Sequence, residues 1–454
     1  MSHDPNEFLK RSRTPAFKPV PRVDPAKSPV TPAEKAPDPD LGTGPIEASR
    51  YTSAEFMQLE WQHMWTKVWL LGGRECDIAE PGDFIVTDIG RESIILVRQH
   101  DGSVRGFYNV CQHRGNSLAE CGVHKASESR TFKCQYHHWE YELDGSFHRI
   151  PDLDTFEQGA PPYALTPVTV DTWAGFVWFT LNADPPPLRE YLAPLDQHLE
   201  PYQFQKMVQT RDVTVEWNCN WKTSVDAFNE SYHVQGIHPQ LLWYLNDIDI
   251  QIDCYERHSR YLIPFGTLSP RVRTPPSIPE PIKVIMKSAG MDPADYDGKI
   301  ADIRRDVQRW KRAHGAEQGR DYSRLNDDQL TDDYHYLIFP NLSLNVHADD
   351  FWVFRQRPHP TDPDRMFYDI WTFELVPDAP DGTPQEWPRR ARHQHFKHGD
   401  KSIGLVLDQD AANLPSVQAG MHSAGYKGLW IGRQELRIRH FHKVIDDYIR
   451  GTPP

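Results

Sequence analysis

Two short Cys–His pairs, Cys111-Gln-His113 and Cys134-Gln-Tyr-His137, constrain this chain more than any other feature. Each sits where a β-rich run meets a turn, so each can offer one thiolate and one imidazole to a shared metal site. Two such loops can hold a binuclear iron–sulfur cluster, both thiolates on one iron and both imidazoles on the other. Neutral imidazoles in place of two thiolates make the cluster less negative and raise its potential. The bare spacing equally admits a Cys2His2 zinc site. Cys121 and His124 lie between the pairs and read as loop bystanders.

The surroundings of the pairs are β-rich. FIVTDI, ESIILVRQ, VRGFYNVC, RTFKCQYHHWEYEL and GFVWFTL, between Asp83 and Thr180, alternate or run apolar between Gly and Asp-Gly turns. They predict an all-β unit of roughly a hundred residues. Ahead of it, TSAEFMQLEWQHMWTKVW carries helical spacing. The first 46 residues hold ten of the 39 prolines and read as a disordered or draped tail. Beyond Pro185-Pro186-Pro187, YHYLIF, LSLNVH, DFWVFRQRP and MFYDIWTFELV predict an antiparallel meander, and RQELRIRHFHKVIDDYI a closing helix. Asp378 to Pro388 reads as a proline-rich loop.

A second pattern lies in NWKTSVDAFNESYHVQGIHP, residues 220–239. Glu230-x-x-His233 puts a carboxylate one turn before an imidazole on a helix face. His238 follows beyond Gly236, where the helix can end and turn the second imidazole back. Two histidines and a carboxylate on one face of an iron leave positions open for oxygen and substrate. Arg392-His-Gln-His395-Phe-Lys-His398 and His440-Phe-His442 look metal-like by count but lack a converging context and read as solvated.

CQHRGNSL and CQYHHWEYELDGSF closely resemble the two cluster loops of Rieske [2Fe–2S] proteins, in particular the ring-hydroxylating oxygenases. Two departures stand out: His138 takes a place where that family usually has glycine, and the interval between the pairs is slightly long. The Asn-Trp-Lys start and the Glu-x-x-His-x-x-x-x-His-Pro ending resemble the same family's mononuclear-iron helix. The resemblance runs from about Tyr51 to the C-terminus. It implies an α+β chain in two parts: an all-β Rieske domain at 47–182, and a helix-grip (START-like) catalytic domain with an antiparallel sheet at 183–454. Residues 1–46 remain the tail.

The resemblance also implies roles. Cys111, His113, Cys134 and His137 would hold the [2Fe–2S] cluster. A mononuclear Fe(II) would sit on His233, His238 and a late aspartate. Gln409-Asp410, followed by Val417-Gln418-x-Gly420-Met421, resembles the family's ligand segment, so Asp410 is the choice and Asp408 the reserve. Glu230 would bridge to a Rieske histidine of the neighbouring subunit; many members have aspartate there. The implied assembly is a homotrimer, with or without a small β subunit. The implied reaction is mono- or dihydroxylation of an aromatic or related substrate with O2. Oxidative demethylation of an alkyl-amine or methoxy substrate is the alternative, mildly favoured by Glu230. A non-catalytic Rieske electron carrier is a remote third reading.

Composition fills in the setting. A net charge of −14 argues against a general nucleic-acid surface and suits docking of a basic partner. Six cysteines in 454 residues are no disulfide scaffold. No apolar run approaches the roughly 18 residues of a membrane span, and the N-terminus has no secretory core, so the expected compartment is the cytoplasm. With no G-x-G-x-x-G opening a strand–turn–helix unit, the electrons must come from a separate reductase or ferredoxin.

Overall fold

The computed structural model describes residues 35–126, 131–376 and 391–454. The tail reading for residues 1–34 and the Asp378–Pro388 loop reading lie outside them. The chain divides into two units, one over residues 57–196 and 358–362, the other over residues up to 56, 197–357 and 363–454. No helix among the described residues is long and apolar enough to cross a membrane.

In the first unit, β1 (Trp69–Arg74), β2 (Phe84–Ile89), β3 (Glu92–Arg98), β4 (Val104–Tyr108) and β5 (Gly122–His124) come first. Next, β6 (Phe132–Lys133), β7 (Glu140–Tyr141) and β8 (Phe147–Arg149) form a small sheet of their own. β9 (Pro167–Trp173) and β10 (Phe176–Thr180) then return to the large one. Its order is β1-β10-β9-β4-β3-β2-β5. Central β3 is apolar on both faces, with Ile94, Ile95, Leu96 and Val97 all buried.

Within the β-rich run RTFKCQYHHWEYEL, β6 and β7 are strands and the Cys134–His137 pair lies in a turn between them. Between them, Cys134 N–H donates to Trp139 O and His138 N–H to Cys134 O, both at 2.9 Å. Local backbone bonds thus replace the ladder, and the Cys134 and His137 side chains escape strand alternation. The Asp144-Gly145 turn beyond needs glycine: φ is +86°, and a Cβ would stand 2.5 Å from the Phe107 ring.

The second unit has β11 (Met207–Trp217), β12 (Gln251–Cys254), β13 (Ser259–Ile263), β14 (Asp333–Ile338) and β15 (Leu342–Val346). β16 (Asp350–Pro358), β17 (Met366–Leu375) and β18 (Gln394–Lys397) complete one sheet, ordered β12-β13-β14-β15-β16-β17-β11-β18. The predicted meander is β14 to β17. The helices are α1 (Trp221–Phe228), α2 (Val234–Ile237), α3 (Glu280–Ser288), α4 (Ile300–His314), α5 (Leu405–Met421) and α6 (Leu436–Ile449).

Three expectations need correction. Residues 47–56 fall in the larger unit rather than with the Rieske strands, because the Tyr51 ring is wholly buried there and its hydroxyl donates to Asp226 at 2.5 Å. Residues 183–196 go the other way, held by buried Leu188, Tyr191 and Leu192 and by Trp69 Nε1–H donating to Pro186 O. His440 and His442 are buried rather than solvated: His442 Nε2 lies 2.7 Å from the Tyr51 hydroxyl, and His440 Nε2 donates to Tyr255 O. By contrast, His393 and His395 are exposed on and beside edge strand β18, paired with Asp212 and Glu216. The described part of the tail is draped: Ala36 N–H donates to Asp253 at 2.7 Å, and Ile46 bridges to Leu429.

Candidate metal centres

In the smaller unit the two Cys–His loops meet over an apolar base. Cys111 and Cys134 are buried in one cluster with Phe107, Phe132, Trp139 and Tyr141. The His113 and His137 rings lie 4.4 Å apart, edge to face, and His113 stacks on Trp139 at 4.8 Å. Nδ1 of each histidine is buried without a hydrogen-bond partner, so both rings present an unused nitrogen. Burial first, then the His137 ring, holds the pKa of His113 below its ordinary value, which favours the neutral, ligating form. Tyr141, which sequence reasoning did not single out, places its hydroxyl 3.3 Å from Cys111 Sγ and accepts the Gln112 N–H at 2.9 Å.

The four donors are two thiols and two imidazoles, a set that can divide between two metal atoms. Among the described residues, His233, His238 and Asp410 offer one ligand atom each within 4.8 Å of one another. His138 has φ +59°, the left-handed region that explains glycine at this place in the family. His138→Gly should therefore raise stability by about 1 kcal/mol with cluster content unchanged. Thermal unfolding with iron and sulfide assays checks this; lost sulfide would mean that the second imidazole is needed.

In the larger unit, Asn220 starts α1: its Oδ1 accepts Lys222 N–H, and its amide donates to Tyr51 O and Pro363 O. The helix ends at Phe228, earlier than the Glu-x-x-His pattern predicts. Glu230 and His233 therefore lie on a turn, not a helix face. Glu230 Oε2 accepts the His233 backbone N–H at 3.0 Å, which supplants the helical bond. The other oxygen, Oε1, accepts from His233 Nδ1 at 2.5 Å. A carboxylate only accepts, so Nδ1 carries a proton, and in the neutral ring the Nε2 lone pair is then the one left for a metal.

His238 is set in the same way. Its Nδ1 lies 2.8 Å from Gln409 Oε1, an oxygen that also accepts from Gln240 Nε2. Neither glutamine's part is evident in the spacing of the motif. Both imidazole Nε2 atoms face Asp410 Oδ1, at 3.0 Å from His238 and 3.8 Å from His233. Burial opposes charge on His233, but the Glu230 and Asp410 carboxylates outweigh it and raise its pKa. The same negative field favours a cation.

Asp408 and Asp410 are two residues, about 200°, apart on α5, so they face opposite ways. Asp408 accepts from Ile403 N–H and Ser402 Oγ at the helix start. Asp410 is buried toward the histidines. Gln418 Oε1 accepts from Asn220 N–H and Thr223 Oγ1, which locks α5 against α1.

The catalytic-domain model of the ring hydroxylating alpha subunit matches residues 204–451, more than half of the chain. This chain belongs to that family. A Rieske [2Fe–2S] domain matches residues 68–168. The Rieske domain implies a [2Fe–2S] cluster, and the family's catalytic domain binds a mononuclear iron. The thiols and imidazoles of the first site, and the two imidazoles and carboxylate of the second, have the donor chemistry these groups take.

Among relatives of this alpha subunit, a glycine betaine monooxygenase oxygenase subunit of Pseudomonas aeruginosa is 33% identical over 196 residues, 42% of this chain and 44% of that one. The chain thus spans less than half the length of that relative. A carnitine monooxygenase oxygenase subunit of Escherichia coli is 28% identical over 50% of this chain and 59% of its own. Biphenyl dioxygenase subunit alpha of Paraburkholderia xenovorans is 26% identical over 86% and 82%. In fold, the chain is similar to a quaternary ammonium Rieske monooxygenase (TM-score 0.65, 19% identity, 92% of this chain and 99% of that one). It is also similar to naphthalene 1,2-dioxygenase (TM-score 0.62, 18% identity, 92% and 95%).

Proposed function

We propose that the chain is the oxygenase component of a multicomponent system that oxidises a small organic molecule with O2. Electrons come from a separate reductase or ferredoxin. Cys111, His113, Cys134 and His137 hold the cluster, and His233, His238 and Asp410 the mononuclear iron. The observation that carries this reading is the convergence of both Nε2 atoms on Asp410, with each Nδ1 proton held by Glu230 or Gln409. When bound, the cluster relays single electrons and the iron activates O2. The chain's own part is to fix the imidazole tautomers, supply one anionic oxygen, and wall the site with apolar rings. Phe228 packs on Phe354 at 4.8 Å, and Phe354 on Tyr368 at 5.5 Å.

The substrate class best supported is a quaternary or alkyl amine hydroxylated at a carbon bonded to nitrogen. One oxygen atom of O2 enters the C–H bond, and the other leaves as water with two electrons and two protons. The hydroxylated carbon then separates as an aldehyde, leaving an amine. Glu230 and the amine-oxidising relatives support this, and aromatic rings attract an alkylammonium group. Ring dihydroxylation is the second reading, favoured by the alignment with the biphenyl enzyme over 86% of the chain. In assembly, three subunits close head to tail, bringing one subunit's His137 to the next subunit's Glu230.

The test is a substrate panel with a surrogate reductase, following NADH, O2 and product. Aldehyde formed in step with O2 from glycine betaine or carnitine supports the first reading; a dihydrodiol from biphenyl with no aldehyde replaces it by the second. Fully loaded protein should contain about three irons and two acid-labile sulfides per chain, as the proposed sites require. Stoichiometric zinc without sulfide would sink the scheme.

A further inference from the structure

The register of β13 to β16 lines up Tyr261, His335, Asn345 and Trp352 as consecutive cross-strand partners. Directly opposed residues of an antiparallel sheet share a face. Exposure falls along the row from Trp352 at 37%, through half-buried Asn345, to His335 at 1% and Tyr261 at 6%. Arg437 of α6 closes the buried end, its guanidinium 4.5 Å from the Tyr261 ring, which itself stacks on His335 at 4.6 Å.

This face lies against the iron loop. Tyr261 and Ile263 share an apolar cluster with Val234, the residue after His233. Toward the other edge, Phe228, two residues before Glu230, packs on Phe354, which shares its face with Trp352. His335 and Asn345 occupy the strands between.

Arg437 is wholly buried, yet no carboxylate pairs with it among the described residues. Its Nε donates to Ser259 Oγ at 3.0 Å and its Nη1 to His335 Nδ1 at 3.1 Å, while Nη2 has no partner. Other well-buried arginines of the unit are neutralised directly: Arg260, Arg271, Arg304 and Arg355 reach Asp253, Asp247, Asp332 and Asp369 at 2.5 to 2.7 Å. An unpaired guanidinium in the interior is strongly unfavourable. Burial lowers its pKa to about 10, which leaves it charged at neutral pH. Arginine only donates, so His335 Nδ1 accepts and its proton sits on Nε2, which is also buried and without a partner. Asp333, on the same face, has His347 Nε2 at 3.6 Å and, like Asp253, acts on Arg437 only through space, without a direct ion pair.

We propose that this row is the polar floor of the substrate pocket, and that Arg437 Nη2–H and His335 Nε2–H take the carboxylate of an anionic or zwitterionic substrate. Two unused donors, one carrying full charge, match a carboxylate's paired acceptor oxygens. The inference rests on the oxygenase reading and narrows it: the substrate is oxidised at one end and anchored by a carboxylate at the other.

Calorimetric dissociation constants on the full, iron-loaded chain without O2 test it, using glycine betaine against choline and benzoate against benzyl alcohol. Each pair exchanges a carboxylate for a hydroxymethyl group. The wild type should prefer the carboxylate by about 100-fold in at least one pair, as expected for hydrogen bonds to a buried charge. Arg437→Met should cut that preference to below about 5-fold and leave the alcohol's affinity within about 3-fold. His335→Gln, a gentler change, should lower it by about 10-fold. No carboxylate preference, or no binding, in either wild-type pair overturns the anchor, whether or not Arg437→Met folds. So does a folded Arg437→Met that keeps the wild-type ratio. Preference confined to benzoate leaves the anchor standing and removes the amine reading. No carboxylate preference in calorimetry, together with aldehyde formed from choline when O2 and the surrogate reductase are added, does the reverse.

Discussion

Asp410→Ala should abolish turnover while the visible spectrum of the iron–sulfur cluster stays unchanged. Among the described residues, Asp410 Oδ1 is the anionic oxygen facing both His233 Nε2 and His238 Nε2, at 3.8 and 3.0 Å. Without it, the proposed iron is left with two imidazoles and no anionic ligand, since Glu230 reaches it only through the His233 ring. Loss of a supporting partner of a metal ligand typically costs 10- to 100-fold in affinity or activity, so loss of a ligand should cost more than about 100-fold. The proposed cluster donors are all in the other unit and share nothing with Asp410. Asp408→Ala is the control. It removes the acceptor for Ile403 N–H at the start of α5, so it should cost about 1 kcal/mol of stability and no iron. Iron and sulfide per chain, product formation and thermal unfolding separate the two variants. Iron lost from Asp408→Ala and kept in Asp410→Ala would reverse the assignment; iron kept in both would place the carboxylate elsewhere.

What could be read from the sequence was what is local. Each Cys–His pair lies within four residues, and a thiol and an imidazole so close on a loop serve few purposes besides a metal. The meander was legible because YHYLIF and MFYDIWTFELV are strongly β-forming and lie on buried strands. β11 was not, although it is the longest strand among the described residues: Gln209 and Arg211 interrupt the apolar face of Val213, Val215 and Trp217, and three charged side chains, Arg211, Asp212 and Glu216, crowd a short stretch. Their partners stand far along the chain: Ile403 O for Arg211, His393 for Asp212 and Arg365 for Glu216. The same reason hid Gln409, whose contact with His238 spans 171 residues. His440 and His442 misled in the opposite direction. Their helix shows a clear apolar stripe, but the stripe does not reveal that the polar flank packs on Tyr51 and Tyr255. Glu-x-x-His was legible as a pair and misread as helix, since the Glu230 side chain takes the backbone bond that a helix would use.

That same bond geometry underlies the second large effect. Glu230 offers two acceptors to two donors of one residue: Oε2 to the His233 backbone N–H, and Oε1 to its Nδ1–H. Glutamine keeps one acceptor and turns an NH2 toward the other donor, so one bond is lost and a donor–donor contact replaces it. Alanine loses both. The His233 ring then has no fixed tautomer or orientation, although its Nε2, His238 and Asp410 all remain to hold iron. In the proposed trimer, Glu230 would also link His233 to the neighbouring subunit's His137 and so carry the electron between the two proposed centres. Glu230→Gln and Glu230→Ala should therefore keep about three irons per chain and the trimer, and lose about 100-fold in product formation. A single turnover distinguishes a broken electron route from a damaged site. With substrate and O2 added, the pre-reduced cluster should reoxidise quickly in the wild type and stay reduced in the variants. A disordered His233 with the route intact would instead reoxidise the cluster at normal speed and release O2-derived peroxide without product. A Glu230→Ala enzyme with normal rates, or a monomer with full coupled activity, would show that electrons reach His233 by another path.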